Sequence, residues 1–359
     1  MVDDRVRRLA QLLVERCMEV KAGDKVLLSG GIVGRPLLVE VLRQVARRGA
    51  EPVLMPSFSE AQRIALTEMP EDRLDVVPEL QDYILRHVDA TLALQAPENT
   101  REGGGIPPER LQRAQRASQA TQIHVLEHVR WVICNYPAPA LAQEAGMSTE
   151  EYEDFVYGAC LVDWDQMTAR LTQLKQALDG AKTVEILGPS TELVLSLEGR
   201  PGIVADGRRN MPDGEVFWAP IETKTEGHIL YEFPAIYGGT EVSGVELEFR
   251  GGRVVNAKAE RGEEFLLSVL DTDPGARVLG ELGIGLNYGI QRFTKSILFD
   301  EKMGGTVHLA LGASIPGNEG QNTSAVHWDM LKDLRQQGEL RADGRTIQKD
   351  GKFLVFQRD

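Results

Sequence analysis

The chain has 359 residues, a formal net charge of −14, 42% hydrophobic residues and 26% charged ones. That balance belongs to a folded globular protein of about two domains, and it excludes a largely disordered chain, which lacks the apolar surface to offset its ordering entropy. The acidic surplus excludes a general nucleic-acid binder, because neutralising phosphates needs a basic face. Three cysteines without close spacing, Cys17, Cys134 and Cys160, exclude a disulfide framework and a Cys-rich structural zinc site. No apolar run approaches the ~18 residues of a bilayer span, so no membrane partner and a cytoplasmic location are expected.

In chain order, Val6, Leu9, Leu12, Leu13 and Val14 recur at helical spacing between charges, which predicts an amphipathic first helix rather than a targeting segment. Asp24–Ser29 follows a turn at Ala22-Gly23 and predicts a strand. Pro36 then opens a helix through Leu37, Val41, Leu42, Val45 and Ala46, closed at Gly49. Glu51–Met55, Ala90–Leu94 and Trp131–Cys134 are further strand candidates, with a helix-like Leu80–His87 before the second of these. Strand–helix alternation of this kind predicts a parallel sheet with crossover helices, an α/β domain spanning 1–180. Its last part, from Ser148 to about Leu178, reads as helical, opening at Ser148 or Thr149 with Glu151 behind.

Beyond Gly180 the texture changes. Thr183–Leu187, Leu193–Leu197, Gly244–Phe249 and Arg253–Ala257 are short strands between Gly-rich turns, with helices expected at Glu263–Leu270 and Met330–Leu334. This predicts a β-rich α+β domain over 181–359 with antiparallel pairing.

Several segments could carry chemistry. Ser29-Gly-Gly-Ile-Val-Gly34 lies between a strand and a helix but lacks the spacing of a dinucleotide or P-loop motif, so it reads as a turn. His124 and His128 share a helical face without forming HExxH and read as ordinary histidines; His87 sits where a helix C-terminus favours a cation. His327 and Asp329 are two apart, so an extended backbone puts both on one face. That pair is either a set of divalent-metal ligands or a carboxylate orienting a structural imidazole. His308 stands in a glycine-bounded apolar run, and Glu215 and Glu281 stand in apolar, glycine-rich surroundings. A carboxylate there is either exposed at a bend or buried with a counter-charge, which a metal can supply.

Taken in order, NMPDGEVFWAP, LGELGIG, ILFDEKMGGTVHLALG and NTSAVHWDM resemble the signature segments of the M29 metallopeptidases, the aminopeptidase T family, and the early VKAGDKVLLSGG is similar as well. The resemblance implies a metallo-aminopeptidase acting on peptides. It implies two co-catalytic divalent ions (Zn²⁺, Co²⁺ or Mn²⁺), a two-domain chain and a homodimer. Position by position it implies Glu215, Glu281, His308, His327 and Asp329 as metal ligands, with one carboxylate bridging (Glu215 is favoured) and Glu281 as general base or its neighbour. Lys302 either orients the scissile carbonyl or pairs with Glu301. Where the family places a tyrosine seven residues after its first metal histidine, this chain has Ile315, with Tyr237 and Tyr288 available elsewhere. The alternative is a ring-cleaving dioxygenase of the 2,5-dihydroxypyridine type, with one non-haem Fe(II) on His308, His327 and Asp329 and His228 as an acid/base. That reading leaves Glu215 and Glu281 without coordinating work.

Overall fold

The structure, a computed structural model, describes residues 3–356. Two compact units divide the chain: Met1–Leu161 with Gly207–Pro212, and Val162–Asp206 with Asp213–Asp359.

In the first unit, four strands and a short fifth form a parallel sheet. Their order is Glu51–Ser57, Lys25–Gly31, Ala90–Gln95, Arg130–Asn135 and Asn210–Met211. Helices cross between them, as parallel connections require. The helix Arg35–Arg47 carries Pro36 in its first turn and buries Leu37, Leu38, Val41 and Val45. The first helix, Asp4–Leu12, is capped by the Asp3 carboxylate, which accepts from the Arg5 amide, and it buries Val6 and Leu9. Gly30 and Gly31 are packing glycines. A Cβ on either would lie 2.4 Å or less from a carbonyl oxygen of the Leu94–Ala96 segment, so the chain passes there with no side chain to spare.

In the second unit, the helix Trp164–Leu178 packs against strands Ile203–Ala205 and Glu215–Trp218, and the Trp218 indole donates to Asp179 at 2.9 Å. An eight-stranded sheet runs from Arg253–Lys258 to Lys352–Phe353, with every neighbouring pair antiparallel. A five-stranded antiparallel sheet carries the chemistry: His327–Asp333, Thr306–Gly312, Leu279–Gly285, Glu215–Trp218 and Ile203–Ala205 in spatial order. Both Leu279–Gly285 and Thr306–Gly312 are buried along their full length, so both faces of the sheet are covered there.

One expected element is corrected: Met330–Leu334 is not a helix, since all but its last residue belongs to the strand His327–Asp333. Five residues, Met-Leu-Lys-Asp-Leu, are too short to carry a period of their own, and pairing with Thr306–Gly312 decides the strand. The capping box at Ser148 and Glu151 opens the helix Thr149–Cys160, and Glu263–Leu270 is helical as expected.

Candidate metal centre

Register explains why distant residues meet. Along the five-stranded sheet, Glu281 pairs with Ala310 and Ala310 with Asp329; Gly283 pairs with His308 and Gly312 with His327; Gly285 pairs with Glu215. Residues two apart on a strand share a face, so Glu215, Glu281, His308, His327 and Asp329 all project from one side of the sheet. The glycines make the room. A Cβ on Gly283 would stand 1.9 Å from His308 Cε1, so the imidazole occupies the space where that side chain would be. A Cβ on Gly285 would stand 2.2 Å from the Met303 carbonyl oxygen, and the Glu301–Met303 segment lies over that part of the face.

The cluster is tight. His308 Nε2 lies 3.2 Å from Glu281 Oε1 and 3.6 Å from Glu215 Oε2. His327 Nε2 lies 3.7 Å from Glu281 Oε2 and 3.6 Å from Asp329 Oδ2. Glu281 therefore stands against both imidazoles, whereas Glu215 reaches His308 and, at 3.4 Å, the Lys302 ammonium. Lys302 is fully buried and also pairs closely with Glu301. Glu301 was overlooked as a candidate in the sequence because its neighbour Lys302 gave it an ordinary partner. One oxygen of Glu301 can join Glu215 and His308 around a single ion, and Glu281, His308 and Asp329 form a second such group.

Hydrogen bonds fix the imidazoles. His308 Nδ1–H donates to the Glu301 carbonyl at 3.1 Å, and His327 Nδ1–H donates to the Ala313 carbonyl at 2.8 Å. A carbonyl can only accept, so each ring turns its Nε2 toward the carboxylates, the orientation that metal-binding histidines adopt. The Lys302 ammonium meets Glu215 and Glu301, Glu281 and Asp329 stand against the imidazoles, and Glu215 Oε2, Glu281 Oε2 and Asp329 Oδ1 are buried without a hydrogen-bond partner. Buried anions in that state require a cation. The electrostatics express the same demand. Burial pushes Glu215 well above its ordinary range, and pushes Asp329 up to about 6. Burial alone would lower His308, but its bond to Glu281 and the charges of Glu215, Glu281 and Asp329 outweigh that and raise it to about 10. The residues present fit divalent ions: oxygens and imidazole nitrogens, with no competing thiolate.

The other candidates fall elsewhere. His228 is exposed on Glu226–Tyr231 in the eight-stranded sheet. His124 and His128 face each other at 5.0 Å on the helix Pro108–His128, and the His87 ring stacks on Tyr83. Tyr288 donates its hydroxyl to the Gly351 carbonyl at 2.6 Å, and Tyr237 packs on Trp328, whose side chain points away from the face holding His327 and Asp329. Ile315 lies in the loop after Thr306–Gly312.

A two-unit α/β and β-rich chain with carboxylates and imidazoles converging on one covered sheet face has the donor set of a metalloprotein. The sequence profile described as thermophilic metalloprotease (M29) matches residues 2–353, and the chain belongs to that family. It is 28% identical to aminopeptidase T of Thermus thermophilus, with 98% of each chain covered, and 26% identical to aminopeptidase 2 of Geobacillus stearothermophilus, with 96% of this chain and 94% of the relative covered. The solved structure of wild-type AmpT from Thermus thermophilus matches with a TM-score of 0.84 at 26% identity, covering 98% of this chain and 99% of that one. Neither the family nor these relatives supports the dioxygenase alternative. It needs only three ligands, and the sheet brings Glu215 and Glu281 to the same imidazole.

Proposed function

We propose that this chain is a metal-dependent aminopeptidase that removes N-terminal residues from peptides, with two divalent ions held by Glu215, Glu281, His308, His327 and Asp329. The observation that carries the reading is the set of buried, unpartnered carboxylate oxygens on Glu215, Glu281 and Asp329 facing two imidazoles whose Nδ1 atoms are already bonded. Family membership supports metal use; the relatives' names support the peptide substrate. Zn²⁺, Co²⁺ and Mn²⁺ suit this donor set. When bound, such ions lower the pKa of an attacking water and polarise the scissile carbonyl.

The chain's own residues do the rest. The Glu301 and Ala313 carbonyls hold both rings with Nε2 inward. Lys302, 3.4 Å from Glu215 and paired with Glu301, balances part of the negative charge. The surplus of carboxylates attracts the protonated amine of a peptide N-terminus. Glu281 lies against both imidazoles, so a water between them is within its reach, and Glu281 is assigned as the proton acceptor. At position 315 the hydrocarbon of isoleucine cannot donate to a developing oxyanion as a tyrosine hydroxyl could, so turnover on simple aminoacyl amides is expected to be slow.

A homodimer fits the exposed apolar side chains on the helices of the first unit, Ile64, Leu80, Tyr83, Ile123 and Leu126. Three buried, unbridged cysteines agree with a cytoplasmic, reducing location. Among the described residues no helix is long and apolar enough to cross a membrane. The test of the function is an assay on aminoacyl p-nitroanilides before and after metal reconstitution. Metal-dependent release of p-nitroaniline is expected, and its absence with every one of the three metals would refute the reading.

A further inference from the structure

We propose that a cavity of about 240 Å³ beside His327 and Asp329 receives the side chain of the substrate's N-terminal residue and selects uncharged, apolar side chains. The inference rests on the aminopeptidase reading and adds the residues that set its specificity. The strand His327–Asp333 sends His327, Asp329 and Leu331 to one face, so the face that carries two candidate ligands continues without a break into the cavity wall. Ile236, from the strand Ala235–Tyr237, and Phe293 and Ile297 complete an apolar enclosure.

Size argues for one side chain. At ~30 Å³ per water the cavity equals about eight waters, and it falls short of the ~300–1,000 Å³ of pockets that enclose a whole drug-sized ligand. The remainder of a peptide would lie outside it, with its terminal amine beside the carboxylates. Charge argues for an apolar side chain. Two further ionisable groups line the space, and both are engaged. The Lys295 ammonium pairs with Glu241 at 2.7 Å, and the Asp300 carboxylate accepts from Thr294 N at 2.8 Å and Thr294 Oγ1 at 2.9 Å. With His327 and Asp329 given to the ions in the metal-loaded protein, a charged substrate side chain would have to break one of these pairs or remain without a partner. Asp300 acts as a positioning residue: its bonds to Thr294 draw in the segment that bears Phe293 and Ile297. Phe293 is backed by Phe233, with ring centroids 5.2 Å apart, so that wall is stiff as well as apolar.

The test compares the metal-loaded wild type with Ile297→Asp and Ile236→Ala on Leu-, Ala-, Glu- and Arg-p-nitroanilide. Ile297 is 47% exposed at the rim, so its substitution leaves the core intact. In a pocket of this kind each methylene is worth ~10–200-fold in kcat/KM, so the wild type should favour Leu over Ala by at least that margin, and Leu over Glu and Arg because their charges find no partner in the cavity. Ile297→Asp should lower the Leu/Ala ratio by ~10-fold or more and raise Arg relative to Leu. A second readout needs no turnover. Calorimetric binding of 3-methylbutylamine, an amine bearing the leucine side chain, should weaken in Ile297→Asp, with or without metal. An unchanged Leu/Ala ratio in both variants, or unchanged amine binding, overturns the cavity assignment while leaving the aminopeptidase reading in place. Failure of the wild type to cleave any of the four amides would strike at that reading instead, and the amine titration would still decide the cavity.

Discussion

Gly283→Ala changes no candidate ligand, yet it should disable the centre. The new Cβ would stand 1.9 Å from His308 Cε1 and 2.1 Å from Nε2. Ordinary contact requires about 3.4 Å or more, so His308 must retreat by about 1.5 Å, whereas metal–ligand distances tolerate only ~0.2 Å. Misplacement by ~1 Å near a reacting centre costs ~10²-fold in rate, so kcat/KM should fall by about that factor or more. The overpacking itself should cost about 1–3 kcal/mol of stability, leaving the protein folded. Metal binding measured by calorimetry, kcat/KM on Leu-p-nitroanilide and thermal melting would be read together. Gly104→Ala, where a Cβ meets nothing within 4 Å, serves as the control and should behave as wild type. A Gly283→Ala protein that binds metal and turns over like wild type would show that His308 does not work from the position described.

Glu281→Gln should abolish hydrolysis while melting as wild type does, and unchanged turnover would remove Glu281 from the mechanism. Lys302→Met strips the buried ammonium from Glu215 and Glu301, so the metal-free protein should lose about 3–5 kcal/mol in denaturant unfolding. Saturating metal should return part of that loss by supplying the missing counter-charge; an equal loss with and without metal would contradict the shared-charge account. Metal uptake near neutral pH should release protons, because His308, raised to about 10, must give up its Nε2 proton to a metal. The sign follows: apparent affinity should rise with pH toward that value and fall below it, and calorimetry in buffers of different ionisation enthalpy checks it. With each of two sites at 100 times its Kd, wild type should be about 5.4 kcal/mol more stable than with chelator, about 2.7 kcal/mol per ion, and a null shift would count against binding to the folded state.

Much of this centre was legible in sequence because strands announce their faces. His327 and Asp329 two apart, and glycines bracketing Glu281 and His308, already describe side chains on a covered sheet. What the sequence does not carry is register. Nothing local states that Gly283 lies opposite His308 or that Gly285 lies opposite Glu215, and those pairings turn separate motifs into one cluster. Glu215, favoured in sequence as the bridging carboxylate, stands beside Lys302, while Glu281 faces both imidazoles. Glu301 went unnoticed because the residue beside it offered a simple partner. In the first unit the helix Pro108–His128 escaped attention for a different reason. Thr121 is its one buried residue, so there is no apolar stripe for periodicity to reveal. Met330–Leu334 misleads for another reason: its five residues, with Lys332 and Asp333 interrupting the apolar ones, are too few to separate a helical period from an alternating one until the neighbouring strand is known.

The central claim is that two divalent ions on one sheet face drive removal of an N-terminal residue. Titrating metal-free protein with Co²⁺ while following both bound metal and Leu-p-nitroanilide cleavage tests it most directly. Activity that climbs to a plateau at two equivalents per chain, and that is lost in His308→Ala, is the predicted result. Saturation at one Co²⁺ per chain, or no amide cleavage at any Co²⁺ level, would contradict it.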